Sequence, residues 1–491
     1  MTDPMGIRID REHILWPLFC PRPVVRILFY TDRPDVVSPG EDFSTTTLRD
    51  WIQAANNFYA DFQIDIVNRF AGASTVNGVV HATSTLTAQF LAGYDQVWFF
   101  GVNQCNLPGQ PDNELSDSEV AVLHDWMRTG GVLMTGDHAN PNPSPGNGLD
   151  ALLNLGRALG HRVPRAGQLR KWEGLPSADT GLVAAGEPMG PRANHNTQQP
   201  DPPLGIDTLG PQSDAIPQPL HLAKYPLWSF RPWERRERPH PLFCGRTGPI
   251  EVFPDHMHEG MLTLPAAGAP DWPAGGVGPE VIATGRDTRT GRVWPVVSAY
   301  DGHPGGVGRI VADSTWHHYF HINLTGFAPG SSARQRISEY YVNLAVWLSP
   351  PAKRQAMRCW ALWFLYRHPA VQEVTLQSPW TVGGEAFDVL GRTSGPCTLI
   401  DLIISWPRYV QQEHRWPWPP EELLLGGILS EYQLAAASGE RIESRHALRR
   451  RGIERAVQEQ RQGFERGLKE TTALMDQLAE VLGFAEEGTA G

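Results

Sequence analysis

Lysine is the residue this chain has least use for. Only Lys171, Lys224, Lys353 and Lys469 occur, arginine supplies nearly all the positive charge, and the net charge is −11. That balance gives no reason to expect nucleic acid or an anionic membrane as a partner. Long apolar runs are missing too, none approaching the roughly 20 residues that span a bilayer. The richest, "CWALWFLY" (359–366), is bounded by Arg358 and Arg367 and reads as a buried helix. The opening "MTDPMGIRIDREH" has no basic segment leading into an apolar one, so no secretory leader is expected in it. The cysteines, Cys20, Cys105, Cys244, Cys359 and Cys397, are odd in number and scattered, with no CxxC pair. A disulfide framework or a cysteine zinc site is therefore not expected; reduced thiols and a cytoplasmic location are.

What is present suffices for a large core. The chain has 491 residues, 41% of them hydrophobic and 19% charged, and more than one domain is expected. The first third alternates strands and helices. "VVRILFYTD" (24–32) reads as a strand ending in Asp32, and "TTLRDWIQAANNFYADF" carries Leu48, Trp51, Ile52, Ala55 and Phe58 at helical spacing. "QIDIVNRF" and "YDQVWFFG" read as further strands. In "LSDSEVAVLHDWMRTGG", Ser116 and Glu119 fit a capping box, Leu115 and Val120 a hydrophobic staple, and Gly130 and Gly131 a left-handed stop before the strand "VLMTG". Alternation with nearly continuous apolar strands predicts a mostly parallel sheet with helices on both faces.

Residues 141–235 are rich in Pro, Gly and Asn and read as a loop-rich insertion interrupted by the short helix "GLDALLNLGRALG". Sheet-like segments resume with "EVIATGRD", "VWPVVSAYD" and "GRIVADS", and the helix "ARQRISEYYVNLAVWL" ends at Pro350 and Pro351. The expected division is an α/β domain over 1–350 and a mostly helical domain over 352–491. The last helix mixes both charge signs with a thin apolar stripe. It reads as a solvated helix packed on one face, or as a coiled-coil element that binds a protein partner or a second copy.

In open α/β sheets ligands sit beyond the carboxyl ends of the strands. Those ends here carry Asp32, Gly101-Val102-Asn103, Asp137-His138, and Asp313 leading into His317, His318 and His321. A second cluster, "VFPDHMHEG" (252–260), holds Asp255, His256, His258 and Glu259. In a strand, residues two apart share a face, so His256 and His258 would project together, with Asp255 or Glu259 beside them. If Asp313 and Ser314 cap a helix, His317 and His321 lie four apart on one face. Either spacing suits a divalent metal with nitrogen and oxygen ligands: zinc, manganese or iron. The plainer alternative is polar histidines bonded to their neighbours. Asp32 and Asp137 would cap a turn, serve as carboxylate ligands, or, in the case of Asp137, orient His138. Trp172, in "GQLRKWEG", and Trp316, beside the histidines, could stack on a sugar, although packing is the usual fate of tryptophan.

The order strand–helix–strand–strand–helix–"GGVLMTGDHAN" is similar to the class I glutamine amidotransferase-like fold, a flavodoxin-like sheet. It more closely resembles the trehalose-utilisation (ThuA-like) branch, in which a GG turn leads into a strand ending in G-x-H-A, as in Gly136-Asp137-His138-Ala139. "RPHPLFCG" (238–245) matches an H-P-[IL]-x-x-G segment of that branch, and "GGVGRIVADSTWHH" its G-x-G-R-V strand ending near a histidine. The resemblance covers roughly residues 20–350. His138 stands where glutaminases of the superfamily carry cysteine, so a cysteine-dependent glutaminase is not expected.

The resemblance implies a carbohydrate-linked role. Together with the residues, it leads to the expectation of an intracellular hydrolase, lyase or isomerase acting on a small polyhydroxylated substrate. Asp137, His138, His317 and His318 are the candidate catalytic groups. Asp32, Asn103, Trp172 and Trp316 would bind substrate, and Asp255, His256, His258 and His321 the metal. The rival expectation is a non-catalytic ligand-binding or scaffold protein on the same fold.

Overall fold

The apolar run at 24–31 does become a strand, and its burial shows why. β1 (Val24–Thr31) is buried continuously from Ile27 onward, as a strand covered on both faces must be. The computed structural model describes residues 21–33, 35–55, 59–72, 74–76, 79–81, 84–101, 115–135, 159–160, 162–171, 217–227, 236–254, 261–265, 269, 271–273, 278–286, 293–374, 377–392, 394–404, 421–438 and 445–481.

Within them, β2 (Asp61–Asn68), β3 (Gln96–Phe100), β4 (Gly131–Met134), β5 (His221–Leu222), β6 (Glu280–Arg286), β7 (Val293–Tyr300) and β8 (Ile310–Asp313) join β1 in an eight-stranded sheet. Its order is β2-β1-β3-β4-β8-β7-β6-β5. The pairings from β2 to β8 are parallel, and those from β8 through β7 and β6 to β5 are antiparallel. The mostly parallel sheet is thus observed, but its last three strands run antiparallel to their neighbours.

Alternate residues of each strand feed opposite layers. Ile27, Phe29, Trp98, Phe100 and Val311 join one apolar cluster, and Leu28, Tyr30, Val97, Phe99 and Ile310 the other. α1 (Thr46–Ala54) and α3 (Ser332–Trp347) cover the first face, and α2 (Asp117–Trp126) the second. The capping box at Ser116 and Glu119 is formed in both directions. Glu119 is almost fully buried and also accepts from the Leu86 N–H and pairs with Arg69, so the cap doubles as a tertiary anchor.

Two local expectations need correction. Neither Gly130 nor Gly131 has positive φ; the helix stops at Met127 without a left-handed residue. Glycine is needed at 131 because a Cβ there would lie 2.0 Å from the Leu348 carbonyl oxygen. The thiol expectation fails at Cys244 and Cys397, which form a disulfide across 153 residues of sequence, and Cys359 is disulfide-bonded as well. Such pairings are set by tertiary approach, which sequence spacing does not report.

Beyond Pro350 the described residues are mostly helical, with α4 (Pro351–Arg367), α5 (Pro379–Gly391), α6 (Glu421–Ser438) and α7 (Arg445–Val481) the longest helices. Pro351 begins α4, because a first-turn residue needs no N–H partner. The apolar cluster on the α1/α3 face continues unbroken through Met357, Leu365, Leu390 and Leu425. Among the described residues, no helix is long and apolar enough to cross a membrane.

Candidate functional site

Because β1, β3, β4 and β8 are parallel, their carboxyl ends share one edge of the sheet. β8 ends in Asp313, fully buried, and the next residues turn sharply. Asp313 Oδ1 accepts from the Thr315 N–H at 3.1 Å, and Thr315 Oγ1 accepts from the His317 N–H at 3.1 Å. Two successive side-chain-closed turns of this kind reverse the chain. A 3-10 turn, His317–Tyr319, then carries His318 back over the aspartate.

The result is a carboxylate–imidazole pair. His318 Nδ1 lies 2.9 and 3.0 Å from the two carboxylate oxygens of Asp313, and the Tyr319 hydroxyl donates to Oδ2 at 2.9 Å. Tyr340 is 3.5 Å from Tyr319, hydroxyl to hydroxyl, and the Tyr341 hydroxyl donates to the His318 carbonyl. Burial raises the pKa of all three tyrosines well above the ordinary phenol value, and for Tyr319 and Tyr340 the Asp313 charge is the next cause. They stay protonated and act as donors. With Nδ1 directed at Asp313, Nε2 is the other nitrogen of the His318 ring, and a carboxylate behind imidazole fixes its tautomer.

Around this pair the loops after three strands meet through aromatic rings. Phe100, the last residue of β3, lies 5.7 Å from Tyr319. Trp316 packs edge-on to Phe43, in the β1–α1 connection, at 5.3 Å, and the Arg33 guanidinium covers the other side of Phe43 at 5.0 Å. Backbone bonds from His321 and Ile322 to the Ser44 and Asp42 carbonyls dock the two connections. The His318 ring also lies 4.7 Å from Phe253, in the short strand Val252–Pro254 that leads into "DHMHEG".

Of the residues picked out by sequence, Asp32 lies at the end of β1, 1% exposed. Trp316 is equally buried, with its ring 3.6 Å from that of His317. The helix-face pairing of His317 with His321 does not form. Phe320 is extended (φ −96°, ψ 154°), so the 3-10 turn ends and the helix His321–Thr325 starts afresh. His317 is buried on Trp316, while His321 turns toward α1, its Nδ1 2.7 Å from Thr47 Oγ1. His318 is the histidine that meets a carboxylate. Asn103, Asp137, His138, Trp172, Asp255, His256 and His258 lie outside the described residues. Among the described residues, no group of three or more His, Cys, Asp or Glu side chains could hold a metal.

Sequence reasoning named Asp313 as a strand end and as a helix cap, and missed Tyr319, Tyr340, Tyr341 and Phe253. The usable signal was the D-S-T stretch itself, whose side chains favour turns and caps over helix interiors.

No protein-family model and no curated protein matches the sequence. Among solved structures, the mmIFT52 N-terminal domain is similar at 10% identity and a TM-score of 0.33, covering 65% of this chain and 96% of that one. The Trypanosoma brucei CTPS glutaminase domain with bound acivicin is similar at 11% identity and a TM-score of 0.27, covering 65% and 92%. The likeness to a glutaminase domain is weak, and at these scores neither match carries an argument about family or activity.

Proposed function

We propose that the chain is an enzyme of hydrolase, lyase or isomerase type acting on a small polyhydroxylated, carbohydrate-like substrate at the carboxyl edge of the sheet. In this reading the parallel strands form a flavodoxin-like sheet of the ThuA-like branch. The observation that carries it is the Asp313–His318 pair. A buried carboxylate holding one ring nitrogen sets the other to take a proton from carbon or from a hydroxyl. Asp32 and Trp316 would meet substrate from their two strand ends, with Asn103 and Trp172. His317 would serve as a second proton carrier, with Asp137 and His138. Asp255, His256, His258 and His321 are the proposed metal ligands, and metal analysis of the purified chain tests them.

The test of the activity is a turnover screen of pentoses, hexoses, uronates and polyols with the intact chain. Turnover of one class is expected, with kcat falling by about 10²-fold or more in Asp313→Asn, the usual worth of general acid–base catalysis. Unchanged kcat in that variant would sink the assignment. One observation favours the rival ligand-binding or scaffold reading: His318 is completely buried. Binding of a screened compound without turnover would select that rival. A protein partner or a second copy is proposed for α7, where Phe464, Leu468 and Met475 are exposed. A cytoplasmic location is part of the proposal, and the Cys244–Cys397 disulfide is the observation against it. Counting free thiols on protein taken directly from cells decides between them.

A further inference from the structure

On the α1/α3 face, away from the strand ends, a cavity of about 330 Å³ lies between those helices and residues 394 to 398. Three charged side chains line it: Arg246, Arg334 and Glu339. Glu339 is committed, since its two oxygens accept from Arg246 Nε at 2.7 Å and from the Arg246 N–H at 2.9 Å. Arg334 is not. Its guanidinium lies over the Trp51 ring at 4.8 Å and makes one long bond, 3.4 Å, to the Phe327 carbonyl. Among the described residues, no carboxylate lies within ion-pair distance of it. The lining therefore carries a surplus of one positive charge, on a planar group already fixed against an indole.

The walls are fixed as well. Asn343 donates to the Leu242 and Cys244 carbonyls and accepts from Thr398, tying α3 to both sides of the cavity. The Cys244–Cys397 disulfide closes the same wall. A Cβ on Gly395 would lie 2.1 Å from the Cys244 carbonyl oxygen, so this approach admits only glycine. Further along α3 from the charges, Val342 and Val346, with Ala54 of α1, give the cavity apolar lining. A preformed, mostly apolar hollow with a few placed polar groups is the general form of a small-molecule site, and this one is at the small end of the roughly 300–1,000 Å³ range.

We propose that this cavity binds a small amphipathic monoanion, a carboxylate on a compact apolar body, with the carboxylate paired to Arg334 and the body against Val342 and Val346. Guanidinium matches carboxylate in two-point geometry. The single surplus charge, with Glu339 on the same lining, selects against a dianion. The site is separate from the strand-end site and stands whether or not that site is catalytic.

Titration calorimetry on the intact chain, using phenylacetate and its neutral isostere phenylacetamide, tests this. Phenylacetate should bind one to one and about tenfold or more tighter than the amide, the usual worth of a hydrogen bond to a charged group. Arg334→Gln should lower phenylacetate to the level of the amide. Val342→Phe, which fills the cavity without altering charge, should abolish binding of both, and it keeps the test decisive if Arg334→Gln fails to fold. No saturable phenylacetate binding at millimolar concentration, equal affinity for the two probes, or unchanged binding in either folded variant would overturn the proposal.

Discussion

Two carboxylates, a half-buried one and a fully buried one at opposite edges of the sheet, are held by opposite chemistry. At the amino edge, Asp401 sits in the π-helical turn Ile400–Ile404 and pairs with Arg354 at 2.8 Å and Arg309 at 3.3 Å. Arg309 also grips Asp301 with two bonds of 2.9 Å, donates to the Trp347 carbonyl and lies 4.4 Å over the Trp347 ring. At the carboxyl edge, Asp313 meets a histidine, a tyrosine hydroxyl and a backbone N–H; among the described residues, no arginine or lysine pairs with it. Arginine does not titrate in a protein, so the amino-edge network is fixed charge that joins β7 and β8 to the helices beyond Pro350. Asp313 is held instead by an imidazole and neutral donors. A carboxylate meant only to hold a fold together gains most from arginine, and this difference is why the proton chemistry is assigned to Asp313.

The comparison breaks most severely at Asp401. Asp401→Ala would strand Arg354, and half of the pairing of Arg309, in a buried setting, and removal of one member of a buried ion pair costs about 3–5 kcal/mol. Asp313→Asn should cost less, about 1–2 kcal/mol. Its amide oxygen can keep one of the Tyr319 and Thr315 bonds, which go to different carboxylate oxygens, and its NH₂ can donate to a neutral His318. Urea denaturation of both variants measures the gap. If Asp313→Asn were the more damaging, Asp313 would be a structural keystone and the contrast would fail.

A smaller effect than at Asp401 is expected at Gly131→Ala. The new methyl would meet the Leu348 carbonyl oxygen where β4 passes the end of α3, and overpacking of this kind costs about 1–3 kcal/mol. The readout is the denaturation midpoint. A midpoint equal to wild type would show that the α3 terminus gives way, and that the amino edge is looser than its ion network suggests.

These contrasts also mark what the sequence could disclose. Apolar runs announced β1, β3 and β4, and the Ser116–Glu119 box announced α2, because both signals are local. Strand order was not legible, nor was the antiparallel turn taken after β8, since pairing between β4 and β8 joins segments almost two hundred residues apart. The double proline suggested a boundary; Pro351 stands in a first helical turn, where proline is favourable, and the residue alone does not say what the helix packs against. At the site, the histidine cluster drew notice, but helical spacing chose His317 and His321. Asp313 and His318 meet five residues apart through two side-chain-closed turns, a geometry no periodicity encodes. The Arg309–Asp401 pair, 92 residues apart, gave no signal at all.

The smallest expected effect concerns His303, at the margin of the amino-edge network, with Nδ1 4.0 Å from Asp301. Burial first, and then the Arg309 charge, push its pKa down from 6.5 to about 3, against a lesser upward pull from Asp301. Arg354 adds to the downward push and Asp401 to the upward pull. The imidazole is thus neutral in the folded protein, whereas in the unfolded chain it takes a proton below its ordinary pKa of about 6.5. Between that value and about 3 the unfolded state binds the extra proton, so stability rises with pH across this window. The contribution is complete above about pH 6.5 and is lost progressively as pH falls, at no more than about 1.4 kcal/mol per pH unit for one proton. Asp301 acts in the same sense lower down: burial raises its pKa, but Arg309 outweighs burial and holds it below 3.8. Urea midpoints measured from pH 7.5 to 4.5 should therefore decline in the wild type and decline less steeply in His303→Asn. Parallel profiles would mean that His303 is not held neutral, and that the amino edge does carry a titrating group after all.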